Sequence, residues 1–317
     1  MYELAFVDDI TSALMLRDAK EAGFESVRFW CFSGVSQDKL AFLISSAKKY
    51  SLKLIPVLAD RWSYKQNFII DSKWYIEGYK KEFLPFALDI IERFKNAEEI
   101  LIWELINEPS ADKFEFIYDY VKDVTKKIKE VNTKHLISIG TIGGIGDKFG
   151  GQFSRFDSSL FEKLYSIEGL DVISIHDYSY DATLLDRIEI HFYFSGKENI
   201  AKIFKMLNKP FAVLRNIWDK FCLRNFGEIV YNPVSVRWIW RHYIKKNLAV
   251  AKKLGKPVYI GEIGYKNYNG NFRKKLIEYD RKRYEKAGVN GYLLWSFEAQ
   301  GKSKDGHGYG FDKNIFK

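Results

Sequence analysis

Trp-Glu-Leu-Ile-Asn-Glu-Pro, residues 103–109, decides how this chain is read. The apolar run from Ile100 to Ile106 has the length and continuity of a strand buried on both faces, the mark of a parallel sheet. It ends by delivering Asn107 and Glu108, with Pro109 restricting the backbone immediately after. A carboxylic acid at a strand end is suited to proton transfer. Taken singly, a glutamate after a strand is as often a first-turn helix residue or a surface charge.

Runs of the same kind recur outward in both directions: Ser26 to Trp30, Lys53 to Leu58, Leu136 to Gly140, Val172 to His176, Pro257 to Glu262 and Gly291 to Trp295. Amphipathic segments lie between most of them, so strands alternate with helices and the sheet is expected to be parallel. Most starts are roughly 27 to 48 residues apart, the spacing of βα units in a (β/α)8 TIM barrel. Seven runs are visible where eight close a barrel. The first strand is therefore expected to be short or missing: Tyr2 to Val7 contain Glu3, have little β-branched content, and leave only Asp8 and Asp9 before the first helix. A barrel without it would expose strand edges and be less stable or associate with a partner.

Counting that strand as the first, the sixth is followed by a surplus of sequence at 179–232. Residues 1–317 read as one barrel, with 179–232 an inserted lid or rim subdomain. Ile200, Phe204, Leu207, Phe211, Leu214, Trp218 and Phe221 form a helical apolar stripe there, interrupted by Pro210. A helical hairpin packed on the rim is the plainer expectation; a lid over the cleft or a homo-oligomer surface is the sharper one. Pro233 to Leu254 reads as the next helix, stopping at Gly255.

Composition limits the remaining choices. The 317 residues are 47% hydrophobic and 17% aromatic, enough for a large core and for flat faces on which sugars stack. A net charge of +9 is spread among 41 acidic residues without a long basic run, so no nucleic-acid partner is indicated. Cys31 and Cys222 form no disulfide framework. No apolar run reaches membrane-spanning length and no signal peptide is visible, so the chain as given is expected in the cytoplasm, or secreted if the native start lies upstream. Scarce glutamine beside abundant Lys, Glu and Ile leans towards a thermophile.

A second carboxylate completes the chemical pattern. Val258 to Ile260 ends in Gly261, Glu262, Ile263 and Gly264, far downstream of Glu108. Two carboxylates at the ends of two strands are what glycosidic bond cleavage asks for, one to protonate the leaving oxygen and one to attack the sugar carbon. A retaining enzyme would hold them about 5 Å apart, an inverting one nearer 9 Å. Arg28, His176, Tyr178 and Trp295 fall at the same ends of other strands. Singly, Arg28 reads as a barrel ion pair, His176 as a core histidine and Trp295 as packing; together they read as a site. Arg28 would hold a nucleophile ionised, Asn107 would bond a sugar 2-hydroxyl, and Trp295 would face a pyranose ring. Glu104 shares the parity of Glu108 and is expected to face the barrel interior beside a base, without a catalytic role. The Gly140 to Gly146 run lacks the spacing of a phosphate loop. The five histidines show no metal-ligand spacing, so neither metal nor other cofactor is expected.

The Asn-Glu-Pro at 107–109 and Gly-Glu-Ile-Gly at 261–264 resemble the acid/base and nucleophile motifs of the retaining (β/α)8 glycoside hydrolases, particularly family five. Val27-Arg-Phe-Trp30, Lys53-Leu-Ile-Pro56 and Ile175-His-Asp-Tyr178 extend the resemblance in order along most of the chain. Arg-Phe-Trp followed by Cys-Phe-Ser, with Trp-Glu-Leu-x-Asn-Glu-Pro, look most like the endo-β-1,4-mannanase branch. The resemblance implies Glu108 as acid/base, Glu262 as nucleophile, and Arg28, Trp30, Asn107, His176, Tyr178 and Trp295 around the cleaved sugar. The implied partner is a β-linked polysaccharide or oligosaccharide, most of all β-mannan. An exo-acting β-mannosidase or β-glucosidase, and a catalytically silent carbohydrate-binding barrel, are the alternatives. The segment 179–232 matches nothing in the mannanases.

Overall fold

Seven parallel strands form one sheet in chain order: β1 (Ser26–Trp30), β2 (Lys53–Val57), β3 (Ile102–Asn107), β4 (Leu136–Ile142), β5 (Ile173–Asp177), β6 (Val258–Gly264) and β7 (Gly291–Trp295). Each apolar run read from the sequence is one of them. The computed structural model describes residues 1, 3–142, 159–178, 197–226, 237–266, 269, 272–298 and 308–316. Neighbouring strands are joined by helical crossovers, α1 (Asp9–Glu21) preceding β1 and α2 (Gln37–Lys49) following it. Asp8 caps α1 by accepting from Thr11 N at 2.9 Å, and Ser36 caps α2 through Lys39 N at 3.1 Å. A π-turn at Trp74–Gly78, α3 (Tyr79–Glu82) and α4 (Leu84–Arg93) fill the path to β3, and α5 (Phe114–Val131) leads to β4.

Burial follows from this layering. Every residue of β3 and β6 is buried, because helices cover the outside and side chains fill the inside. Every residue of β7 is only half-buried. The difference is explained at the edge of the sheet: among the described residues no ladder joins β7 to β1. The first strand, expected to be short or missing, is absent among the described residues, and seven strands make a nearly closed, TIM-like barrel. Residues 3–7 are not a strand. Local bonds from Leu4 N to Met1 O (3.1 Å) and from Phe6 N to Glu3 O (2.8 Å) coil them into turns. Leu4 and Ala5 are still buried in the core, and Met1 lines a cavity between β1 and β7 with Val27, Arg28, Leu294, Trp295 and Phe311.

The later helices are α6 (Ser159–Tyr165), α7 (Glu198–Phe226), α8 (Arg237–Leu254) and α9 (Phe272–Lys286). In the described part of the insertion one helix, α7, runs unbroken through Pro210. A helix-interior proline costs roughly 3 kcal/mol, and the Lys, Leu, Ala and Arg residues on either side are strong helix formers. Residues 179–196 and 227–232 of the insertion, 233–236 of the next helix, and 143–146 of the glycine-rich run lie outside the described residues. Helix α8 stops at Gly255, whose φ of +64° suits a residue without a Cβ. Both cysteines are free and buried, and burial pushes the Cys31 thiol up to about 12. Among the described residues no helix is long and apolar enough to cross a membrane.

The open ladder has a measurable consequence. In amide hydrogen exchange, β1 and β7 should lose protection before β3 to β5, since each is bonded to a neighbour on one side only. Equal protection across all seven strands would mean that the sheet is closed in solution.

Candidate active site

Two local departures from regular strand geometry place the carboxylates. Between Glu104 and Asn107, β3 advances three residues while β4 advances two, from Ser138 to Gly140. Strand β6 does the same against β7, between Ile260 and Ile263. Such bulges turn a side chain that would point outward towards the cleft. Glu108 then takes a φ of +47°, which is costly for a residue with a Cβ and holds its carboxylate at the rim beyond the strand. Its N–H donates to Gly140 O at 2.8 Å, tying the bend to β4.

Arg28, from β1, lies between the acidic groups. Its Nη1 donates to Glu262 Oε1 at 2.5 Å, Nη2 to Asn107 Oδ1 at 2.8 Å, and Nε to Glu104 Oε2 at 3.0 Å, with a further bond from Nη2 to Glu104 Oε1. Tyr259 adds a donor to Glu104 Oε2 at 2.8 Å. Burial works against the guanidinium charge, but Glu104 and Glu262 outweigh it and raise its pKa. The expectation for Glu104, an interior carboxylate beside a base, is met. Asn107 in turn donates through Nδ2 to Asp60 Oδ1 at 2.9 Å, so its amide orientation is fixed from both ends. Burial, against the opposing hydrogen bond from Asn107, pushes the Asp60 carboxyl up to about 6.

His176 sits between the two outer carboxylates. Its Nδ1 is 2.9 Å from Glu108 Oε1 and 3.7 Å from Glu262 Oε2, and oxygens of the two glutamates lie within 4.8 Å of each other and of the ring. Tyr178 donates to Glu262 Oε2 at 2.6 Å, and Trp62 Nε1 to Glu108 Oε2 at 2.8 Å. Burial raises the Glu108 carboxyl, but the hydrogen bond and charge of His176, then Trp62 and Arg28, prevail and lower it. Burial lowers the imidazole, whereas Glu262 and Glu108 prevail and raise it. Both shifts favour a proton on His176 over one on Glu108. Room for the ring is made by glycines: a Cβ on Gly140 would stand 2.5 Å from Glu104 Oε1 and 2.8 Å from His176 Nε2, and one on Gly261 would stand 2.2 Å from Ser174 Oγ.

Of the residues singled out in the sequence, Arg28, Asn107, Tyr178 and Glu262 form one hydrogen-bonded group, and Glu108 and His176 form a second whose imidazole lies 3.7 Å from Glu262. Trp295 is half-buried at the end of β7, its ring 5.7 Å from that of Trp30. Trp30 itself is buried, stacked on Phe32 at 5.7 Å with the Arg28 guanidinium 4.9 Å from its ring, so it supports Arg28 from below. Asp60, Trp62 and Tyr259 were not picked out. Asp60 stands two residues beyond the apolar run of β2, at the same end of the sheet as Asn107 and Glu108 of β3, so position alone marks it. Trp62, on the loop beyond, carries no periodic signal. Glu108, His176 and Glu262 have the donor types and closeness to share a cation. Arg28 already supplies positive charge to Glu262, which disfavours a metal ion there.

Comparison with known proteins gives the family. The protein named mannan endo-1,4-beta-mannosidase 3, from Solanum lycopersicum, is 25% identical over 294 residues, covering 76% of this chain and 70% of its own. A probable mannan endo-1,4-beta-mannosidase A from Aspergillus oryzae is 24% identical over 213 residues, and the aligned part is 54% of either chain. The hyperthermostable endo-1,4-beta-D-mannanase of Thermotoga petrophila RKU-1 superposes with a TM-score of 0.68 at 18% identity, over 98% of this chain and 93% of that one, a likeness of fold. Residues 2–301 match the profile of cellulase (glycosyl hydrolase family 5), and with nearly the whole sequence matched the chain belongs to that family.

Proposed function

We propose that this chain hydrolyses β-1,4-linked hexose polysaccharides or oligosaccharides with retention of configuration, and that β-mannan, cut internally, is its substrate. The observation that carries the reaction is the approach of Glu108 and Glu262 oxygens to within 4.8 Å, near the roughly 5 Å of retaining enzymes and too close for an intervening water. The names of the relatives support mannan as the polymer.

Glu262 attacks the anomeric carbon while Glu108 gives its proton to the leaving oxygen, so the glycosidic bond breaks as the glycosyl ester forms. Glu108, now a carboxylate, takes a proton from water, which attacks the same carbon and releases Glu262. Arg28 and Tyr178, each bonded to one oxygen of Glu262, hold it aimed before attack. Asn107 has a second Nδ2 hydrogen for the sugar 2-hydroxyl, a bond that strengthens as positive charge grows on the ring. Trp295 supplies a face for the sugar at the reacting carbon. Trp62, partly exposed beside Glu108, supplies one for the leaving sugar. The first step needs on Glu108 a proton that the free site favours on His176. A bound sugar that excludes water from Glu108 favours the neutral carboxyl and moves the proton across their 2.9 Å contact.

Purified protein should release mixed oligomers from β-1,4-mannan. Glu262→Ala should lose roughly 10⁴-fold or more of kcat, and Glu108→Ala roughly 10²- to 10⁴-fold. The Glu108→Ala loss should shrink on aryl glycosides whose leaving group needs no protonation. Monosaccharide as the sole product would transfer the reading to an exo-acting β-mannosidase or β-glucosidase. A folded protein inactive on every β-glycoside would leave a silent carbohydrate-binding barrel.

His176→Gln gives a pH test. Without the imidazolium, burial governs Glu108 and its pKa rises, so the basic limb of kcat/KM, where the acid is lost, should move to higher pH. An unmoved limb, or one moved to lower pH, would show that His176 does not set the proton affinity of Glu108.

A further inference from the structure

Helix α7 is amphipathic in the reverse of the usual sense. Arg215, Asn216, Asp219 and Cys222 are buried on its inner side. The opposite side carries Ile200, Leu207, Leu214 and Phe221 at seven-residue steps, with Ile203 and Ile217 between them, all 38% to 60% exposed. These are the a and d positions of a heptad held over three repeats, with Pro210 taking one d place. Met206, Val213 and Trp218 widen the stripe. Summed over these side chains, the exposed apolar area is on the order of 1,000 Å², above the roughly 300–600 Å² of the largest patch on a typical monomer. It also exceeds the roughly 800 Å² that each partner contributes to a standard stable interface. At 1.5 Å per residue the helix is about 44 Å long, enough to carry such a seam.

We propose that this face of α7 pairs with the same face of a second copy of the chain, forming a two-fold symmetric dimer. The inference is independent of the reaction assigned above. The strict seven-residue recurrence favours a helical partner over a membrane surface: on a straight helix it drifts by about 20° per heptad, and only a supercoiled partner keeps the seam in contact. A flat bilayer has no means of following that drift. An isologous contact also needs only what the chain already presents, one self-complementary apolar stripe. Near its C-terminal end α7 is anchored to its own barrel, where Lys220 Nζ lies 5.5 Å from the Phe272 ring at the start of α9. The seam therefore projects from the barrel on the segment that follows β5, the strand carrying His176.

Sedimentation of the full chain from low to high micromolar concentration should give twice the chain mass. Leu214→Glu combined with Ile217→Glu should raise the dimer dissociation constant by roughly a hundredfold or more, with circular dichroism unchanged, since both side chains are exposed in the single chain. The milder pair Leu214→Ser and Ile217→Ser should weaken the dimer in the same direction and guards against misfolding of the charged variant. A wild-type chain that stays monomeric throughout would overturn the proposal. So would a dimer untouched by both pairs, or a monomer that instead cosediments with phosphatidylserine vesicles.

Discussion

The guanidinium of Arg28 is the constraint on which the site depends. It is buried, and it joins three strands that are far apart in sequence: β1 through its own backbone, β3 through Glu104 and Asn107, and β6 through Glu262. Charges taken out of water cost several kcal/mol each unless they are paired, and removing one partner of such a set typically costs about 3–5 kcal/mol. The pairing therefore ties barrel geometry to chemistry. Glu104 is fully buried and holds the guanidinium in place, which leaves Nη1 directed at Glu262. Asp60 acts one bond further out, fixing the amide of Asn107 against the same cation.

Backbone irregularity serves that arrangement. A regular barrel strand alternates its side chains, so Glu104 and Asn107 could not both point inward without the bulge in β3. The left-handed φ of Glu108 and the bulge in β6 belong to the same solution. Strain gathers where the two carboxylates are brought together, and the buried apolar strands on either side hold it.

Much of this was legible in the sequence because parallel barrel strands are buried on both faces and appear as continuous apolar runs. The strand ends then located Arg28, Asn107, Glu108, His176, Tyr178 and Glu262 without knowledge of their contacts. Glu104 does face the interior as expected, although the bulge in β3 breaks the parity with Glu108 from which that was read. The limits have physical causes. Residues 3–7, where Glu3 and scarce β-branched residues already argued for a short or missing strand, are coiled into turns by local hydrogen bonds. Trp62 acts from a loop, where side-chain direction has no period. In α7 the apolar stripe was visible, but periodicity reports which residues share a face and not whether that face meets the barrel or the solvent. Pro210 marks a cost in the helix, which its neighbours outweigh.

The measurement that tests the central claim most directly is the anomeric form of the sugar first released, followed by proton NMR during hydrolysis of a β-1,4-linked oligosaccharide before mutarotation. Glu262 acting as nucleophile beside Glu108 as acid/base predicts the β-anomer as the initial product, because two inversions restore the starting configuration. Initial release of the α-anomer would mean a single displacement by water, and would contradict the roles assigned to both glutamates.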